Sequence, residues 1–151
     1  MYRLRCELLE VLLVHPGGPF WAKKDHGAWA IPKGEIHPHE EPLAAAKREF
    51  EEETAIRPEG DFLPLGSVTH KGGKIVFAWA FEGDCDVSRL RSNTFSMEWP
   101  PRSGRQREFP EVDRGEFFTL DTAREKINPA EFDFLLRLQD LLSIGNSSRS
   151  H

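Results

Sequence analysis

Cysteine is scarce in this chain of 151 residues: Cys6 and Cys85 stand far apart, in no paired spacing. That excludes a disulfide scaffold and a thiolate zinc site, and it suits a reducing cytoplasm. Positive charge is also short, with 20 Lys and Arg against 25 Asp and Glu and a net charge of −5. Such a balance leaves no electrostatic footprint for DNA or for a stable RNA partner. If the ligand is a small polyanion, positive charge must be supplied locally. Long apolar runs are missing as well: none approaches the roughly 18 residues of a membrane span, and no signal peptide precedes the first charges. A soluble cytoplasmic protein, monomer or homodimer, is expected. Neither an internal repeat nor a linker is visible. With 38% hydrophobic and 11% aromatic residues, the chain has enough apolar material for one packed core.

Local patterns divide that single domain. The run Glu7 to His15, "ELLEVLLVH", is short and rich in Leu and Val, and it reads as a buried strand. "PGGPF" breaks it, and Trp29 to Pro32 reads as a brief second strand. From Glu41 the spacing turns helical, with Pro42 suited to the first turn and Leu43, Ala46, Phe50 and Thr54 as the inward stripe. Pro58 and Gly60 punctuate its end. Gly72 and Gly73 between two alternating runs predict a hairpin. On its second arm Ile75, Phe77, Trp79 and Phe81 share one face and Val76, Ala78 and Ala80 the other, so both faces should be covered in a layered α/β fold. Residues 83–113, rich in Ser, Pro and Arg, read as one long irregular loop. "GEFFTL" is a further strand, and a last helix opens with Asn128 as N-cap and Glu131 completing a capping box, to close at Gly145. The domain is taken as 1–145, with 146–151 as a disordered tail.

The stretch "REFEEETA", residues 48 to 55, is the one that demands an explanation. A helix turns about 100° per residue, so Glu49, Glu52 and Glu53 converge on one face while Glu51 points away. Like charges at that spacing repel by roughly 0.2–0.5 kcal/mol per pair. Arg48 stands four residues before Glu52, close enough to orient its carboxylate. A solvated acidic face would explain the cluster. So would a bound cation, and three oxygen ligands without a nearby thiol suit Mg²⁺ or Mn²⁺ rather than Zn²⁺.

The context of the cluster separates the two readings. Gly34 to Ile56, "GEIHPHEEPLAAAKREFEEETAI", resembles the Nudix box, G-x5-E-x7-R-E-U-x-E-E-x-G-U with U a bulky apolar residue. Gly34, Glu40, Arg48, Glu49, Glu52, Glu53 and Ile56 fall in register and Phe50 is an aromatic first U, whereas Ala55 stands in place of the usual glycine. The resemblance implies an α/β/α sandwich around a mixed β-sheet and a hydrolase that cleaves the diphosphate bond of nucleoside diphosphate derivatives, with Mg²⁺, or Mn²⁺, as cofactor and a nucleotide as small-molecule substrate. By resemblance Glu49, Glu52, Glu53 and the Gly34 carbonyl are metal ligands, Arg48 orients them and Glu40 supports. The general base is open between Glu53 or Glu52 in the box and Glu111 in "FPEVDRGEFF", with Glu98 behind them.

Outside the box the candidates for substrate contact are Lys33, Arg102, Arg105 and Trp99, the last as a base-stacking platform, with Arg107 beside the loop arginines. Trp21, Trp29 and Trp79 read as core, and His37 and His39 as variable positions. Family members usually open with a strand ahead of the "YR" step at which "MYRLRCELLEVLLVH" begins, so the first strand is expected to be missing and an edge left unpaired. "FWAKKDHGAWAIPKGE" is similar to pyrophosphohydrolases of diadenosine polyphosphates or nucleoside triphosphates. The competing class is a non-catalytic nucleotide-binding module on the same scaffold. Such modules usually lose a box glutamate, and this chain keeps all three.

Overall fold

Strand β2 (Leu8–Pro16) is the spine of the protein. In the computed structural model, which describes residues 1–33 and 39–149 apart from the side chains of 144–149, it pairs antiparallel with β1 (Tyr2–Arg5) on one side and β7 (Val112–Thr119) on the other. Its side chains alternate between two layers. Val11 and Leu13 pack with Phe118, Leu65, Val76, Phe134, Leu135 and Leu138. Leu12 points the other way, into a smaller cluster with Phe50 and Phe81. A strand buried on both faces in this way must have a layer on each side. Helix α1 (Pro42–Thr54) covers one, and α2 (Leu120–Lys126) with α3 (Phe132–Arg149) the other. Each such Leu contributes about 1.5–3 kcal/mol by burial.

The edge strand expected to be missing is present. Tyr2–Arg5 folds back on β2 through Cys6 and Glu7, both at positive φ, with Tyr2 opposite Val11 and Arg5 opposite Leu8. Neither residue carries the Asn-Gly signature of such a turn, so the hairpin gives no local signal. The outer edge of β1 is engaged as well: the Tyr2 amide donates to the Phe81 carbonyl and the Gly83 amide to the Tyr2 carbonyl.

Strands β3 (Leu63–Thr69) and β4 (Ile75–Ala80) form the hairpin predicted from Gly72 and Gly73, whose φ angles are 92° and 89°. Only one face of β4 is fully covered. Val76, Ala78 and Ala80 are buried on one face; on the other only the following Phe81 is buried, while Ile75 is 59% and Phe77 49% exposed, so the expectation of two covered faces is corrected. The segment 83–113 is not one irregular loop either: β5 (Thr94–Glu98) and β6 (Gln106–Pro110) pair with Phe95 opposite Phe109. This hairpin holds few apolar residues, so its alternation is hidden among Ser, Pro and Arg. Trp29 and Ala30 make isolated bridges, to Ile127 and Val14, rather than a strand of their own. Parallel bridges at Tyr2–Glu82 and Trp29–Ile127, beside the antiparallel pairs, make the pairing mixed. Helix α2 was not signalled at all, and α3 runs through Gly145 to Arg149, since one glycine costs a helix only about 1 kcal/mol.

Candidate active site

The site is built on the last two turns of α1. Pro42 opens this helix without a side-chain cap, and Phe50 and Thr54 anchor its inner face, with Ala45 buried where the sequence stripe had placed only half-buried Leu43 and Ala46. Anchoring that face turns the acidic positions outward along a single edge. Arg48 is held among them. Its Nε and Nη2 donate to the two oxygens of Glu40 at 2.8 and 3.0 Å, and its Nη1 lies 2.7 Å from Glu49 and 3.0 Å from Glu52. One guanidinium therefore offsets the repulsion of three carboxylates. Those hydrogen bonds, that of Glu40 first, hold Arg48 more firmly protonated than usual, against the cost of desolvation.

Glu53 is arranged differently. It accepts the backbone N–H of Lys33 at 2.6 Å. Burial pushes its carboxyl up to about 8, and the neighbouring charges of Glu49 and Glu111 add to the rise while Lys33 opposes it. Burial also raises Glu49; Arg48 opposes that rise, and Glu52 and Glu111 reinforce it.

Glu111 is thus near enough for its charge to bear on the helix carboxylates although it lies far along the chain. Backbone bonds bring it there. The Asn93 amide donates to the Glu52 carbonyl at 2.9 Å, the Glu111 amide donates to the Asn93 carbonyl at 2.9 Å, and the Gly17 amide donates to the Glu111 carbonyl at 3.0 Å. Gly17 must be glycine for this approach, because a Cβ there would meet the Pro110 carbonyl oxygen at 2.0 Å. Glu49, Glu53, Glu111, Lys33 and His70 line one cavity of about 790 Å³ together with Trp21 and the open face of Ile75 and Phe77.

Behind that wall lies a second charged cluster, which the sequence did not reveal. Glu131 is fully buried and does not complete a capping box. Asn128 accepts the Ala130 N–H as expected, but the Glu131 Oε1 accepts the N–H of Ile31 at 3.0 Å, 100 positions away. Its Oε2 lies 2.7 Å from Lys33 Nζ and 3.1 Å from His70 Nε2. Neither that oxygen nor the His70 nitrogen is in hydrogen-bond alignment with a partner among the described residues. The only signal in the sequence was a Glu in a helix-start position, which capping explained as well.

A family model described as the NUDIX domain matches residues 5–138. The chain belongs to the Nudix hydrolase family. Its class of reaction is therefore pyrophosphohydrolysis. No curated protein matches the sequence. The fold is shared with an Ap4A hydrolase of C. elegans in a binary complex, at 24% identity and a TM-score of 0.65 over 95% of this chain and 94% of that one. It is shared also with the NUDIX domain of Shewanella oneidensis NrtR complexed with ADP ribose, at 18% identity and a TM-score of 0.61, covering 93% of this chain and 82% of the other. A MutT protein from Methanosarcina mazei Go1 is similar at 22% identity and a TM-score of 0.55, covering 92% and 90%.

Within the Nudix box, Ala55 has φ 65° and ψ 17°, the left-handed conformation, and its N–H closes the helix on the Glu51 carbonyl at 2.7 Å. The backbone geometry that glycine ordinarily serves is kept, at a cost of roughly 1–2 kcal/mol for a residue with a Cβ. Gly34 and His37 lie outside the described residues, and His39 is exposed in a turn. Among the described residues, no three His, Cys, Asp or Glu side chains are gathered as a metal site; Glu49 and Glu52 face Arg48.

Other expected contacts fall elsewhere. Trp99 packs edge-on against Phe20 at 5.7 Å, and the exposed Arg102 and Arg105 sit in the β5–β6 turn; none of the three lines the cavity. Arg107 lies over the Phe109 ring, and Glu98 is exposed on β5 opposite Gln106. Trp29 is core, Trp79 is half-buried, and Trp21, expected in the core, is 40% exposed on the cavity wall.

Proposed function

We propose that this protein hydrolyses the diphosphate linkage of nucleoside triphosphates or dinucleoside polyphosphates with Mg²⁺, or Mn²⁺, as cofactor. The observation that carries the reading is that Glu49, Glu53 and Glu111, from two distant segments, line one cavity, with the charge of Glu111 acting on both helix carboxylates. The donor set fits a hard divalent cation: the groups are all oxygens, they repel one another, and burial pushes the Glu53 carboxyl up to about 8. Glu49, Glu52 and Glu53 would hold the ion, with the Gly34 carbonyl as a further ligand. When bound, it would neutralise the pyrophosphate oxygens and lower the cost of charge on the leaving phosphate. Divalent metal dependence is general in the family.

Arg48 and Glu40 orient the ligand carboxylates. Glu111, exposed at the cavity and outside the box, is the general base we favour, taking a proton from the attacking water; Glu53 and Glu52 are the alternatives. The Lys33 ammonium, on the same wall, would contact phosphate. Trp99, Arg102 and Arg105 would reach substrate only if it extends past the cavity to the β5–β6 hairpin, as the second nucleoside of a dinucleoside polyphosphate does. Similarity in fold to an Ap4A hydrolase supports that substrate class. No helix among the described residues is long and apolar enough to cross a membrane, and the scarcity of cysteine supports a cytoplasmic location, as monomer or homodimer without a nucleic-acid partner. The domain would comprise residues 1–145.

Phosphate release from nucleoside triphosphates, dinucleoside polyphosphates and nucleotide sugars in Mg²⁺ tests the reading. Loss of a positioned acid–base group costs about 10²–10⁴-fold, and Glu53→Gln and Glu52→Gln are expected to lose at least that much in kcat. A native chain that binds nucleotide yet turns over none of the panel in Mg²⁺ or Mn²⁺ would establish the non-catalytic module instead.

A further inference from the structure

A fully buried carboxylate is costly unless cations and N–H groups meet it, the effective penalty being several kcal/mol. Glu131 carries that cost, and its partners are not scattered. Its Oε1 holds the Ile31 N–H, and its Oε2 lies 2.7 Å from the Lys33 ammonium, so both oxygens are met by the residues that lead into the box. Lys33 in turn is tied to the box helix through its own backbone N–H, which Glu53 accepts at 2.6 Å. A continuous path of short contacts therefore runs from Glu131, just before α3, through the 31–33 segment, to a carboxylate of the acidic cluster. His70, on the β3–β4 turn, closes on the same oxygen from the opposite side.

We propose that Glu131 is a positioning residue for the acidic cluster: by fixing the 31–33 segment it sets the Lys33 amide, and through that amide the Glu53 carboxylate that binds metal. Glu131 touches neither substrate nor cation itself; it is absent from the cavity wall, which Lys33 and His70 form in front of it. The inference rests on the reading of Glu49, Glu52 and Glu53 as metal ligands. Its chemistry is that of outer-shell partners generally, whose loss costs about 10–100-fold in metal affinity or activity.

The test is Mn²⁺ binding to the full chain without substrate, followed by electron paramagnetic resonance, together with hydrogen exchange of the Lys33 amide. Glu131→Gln keeps an acceptor for the Ile31 N–H but removes the charge that holds Lys33. It is expected to weaken Mn²⁺ binding by about 10–100-fold and to speed Lys33 exchange, while Asp133→Asn, an exposed neighbour, changes neither. A lower Tm with native Mn²⁺ affinity in the folded protein would show a purely structural role and overturn the proposal. If Glu53→Gln abolishes Mn²⁺ binding but Glu131→Gln does not weaken it, the ligand reading stands and this inference alone falls. A native chain that binds no Mn²⁺ removes both. Should Glu131→Gln fail to fold, the double variant with Lys33→Met, which leaves no unpaired charge, must still bind Mn²⁺ more weakly than the native chain; native affinity in it would overturn the proposal.

Discussion

Two knots of charge hold this site, and they are built on opposite plans. Around Arg48 the partners among the described residues are local: Glu40, Glu49 and Glu52 lie within eight positions of it, and all four side chains keep some contact with water. Around Glu131 every partner is remote, the Ile31 N–H being 100 positions away, and the carboxylate itself sees no solvent. The first knot arranges side chains on a helix that forms without it. The second joins side chains and backbone from three segments, two of which also meet through the Trp29–Ile127 bridge. Surface pairs of the first kind are worth about 0–1 kcal/mol each, whereas removing one partner of a buried group costs several times as much.

The largest effect is therefore expected at the buried knot. Glu131→Ala should lower the unfolding free energy by about 3 kcal/mol, the low end for a broken buried pair because Lys33 and His70 partly reach water. Arg48→Met should cost about 1 kcal/mol and lose that difference in high salt, where exposed pairs are screened. Denaturant melts of both variants at two salt concentrations check the contrast; equal losses would erase it.

Proton linkage sharpens the same comparison at Glu53, which the second knot holds. Its folded carboxyl sits at about 8 against an ordinary 4.5, so the folded state binds the proton more tightly. The stability this contributes is complete below pH 4.5 and is lost as pH rises through about 8. Metal-free native protein should accordingly lose stability across that window, and Glu53→Gln should not. Addition of Mg²⁺ at neutral pH should release a proton, measurable by calorimetry in buffers of different ionisation enthalpy.

The smallest expected effect runs the other way. Ala55→Gly places at φ 65° the residue that conformation favours, so it should stabilise the chain by about 1 kcal/mol, a rise of roughly 2–4 °C in Tm. No change in Tm would mean that the Cβ of Ala55 gains elsewhere what its backbone loses.

The helix, its acidic edge and the Arg48 knot were legible because every contact falls within a few turns, where spacing in sequence is spacing in space. The β3–β4 hairpin was legible for the same reason, through two glycines that only a turn requires. Other features carried no such mark. The Cys6–Glu7 turn uses residues that seldom adopt positive φ, so β1 was expected to be absent; β5 and β6 pair with too few apolar residues to show their period. Trp21, expected in the core, stands on the cavity wall, and Trp99 packs against Phe20 away from it, since the place of a tryptophan depends on what the loop around it packs against.

By itself the sequence determined the family, the helix that carries the acidic cluster and the carboxylate chemistry of its edge, because these are periodic and local. The tertiary structure decided that Glu111 shares a cavity wall with Glu49 and Glu53, through the backbone of Asn93 and the room left by Gly17. It decided also that Glu131 is no cap but a buried strut beneath Lys33. Both depend on which distant segments share a layer, and a chain's spacing carries no measure of that until its apolar faces have closed upon each other.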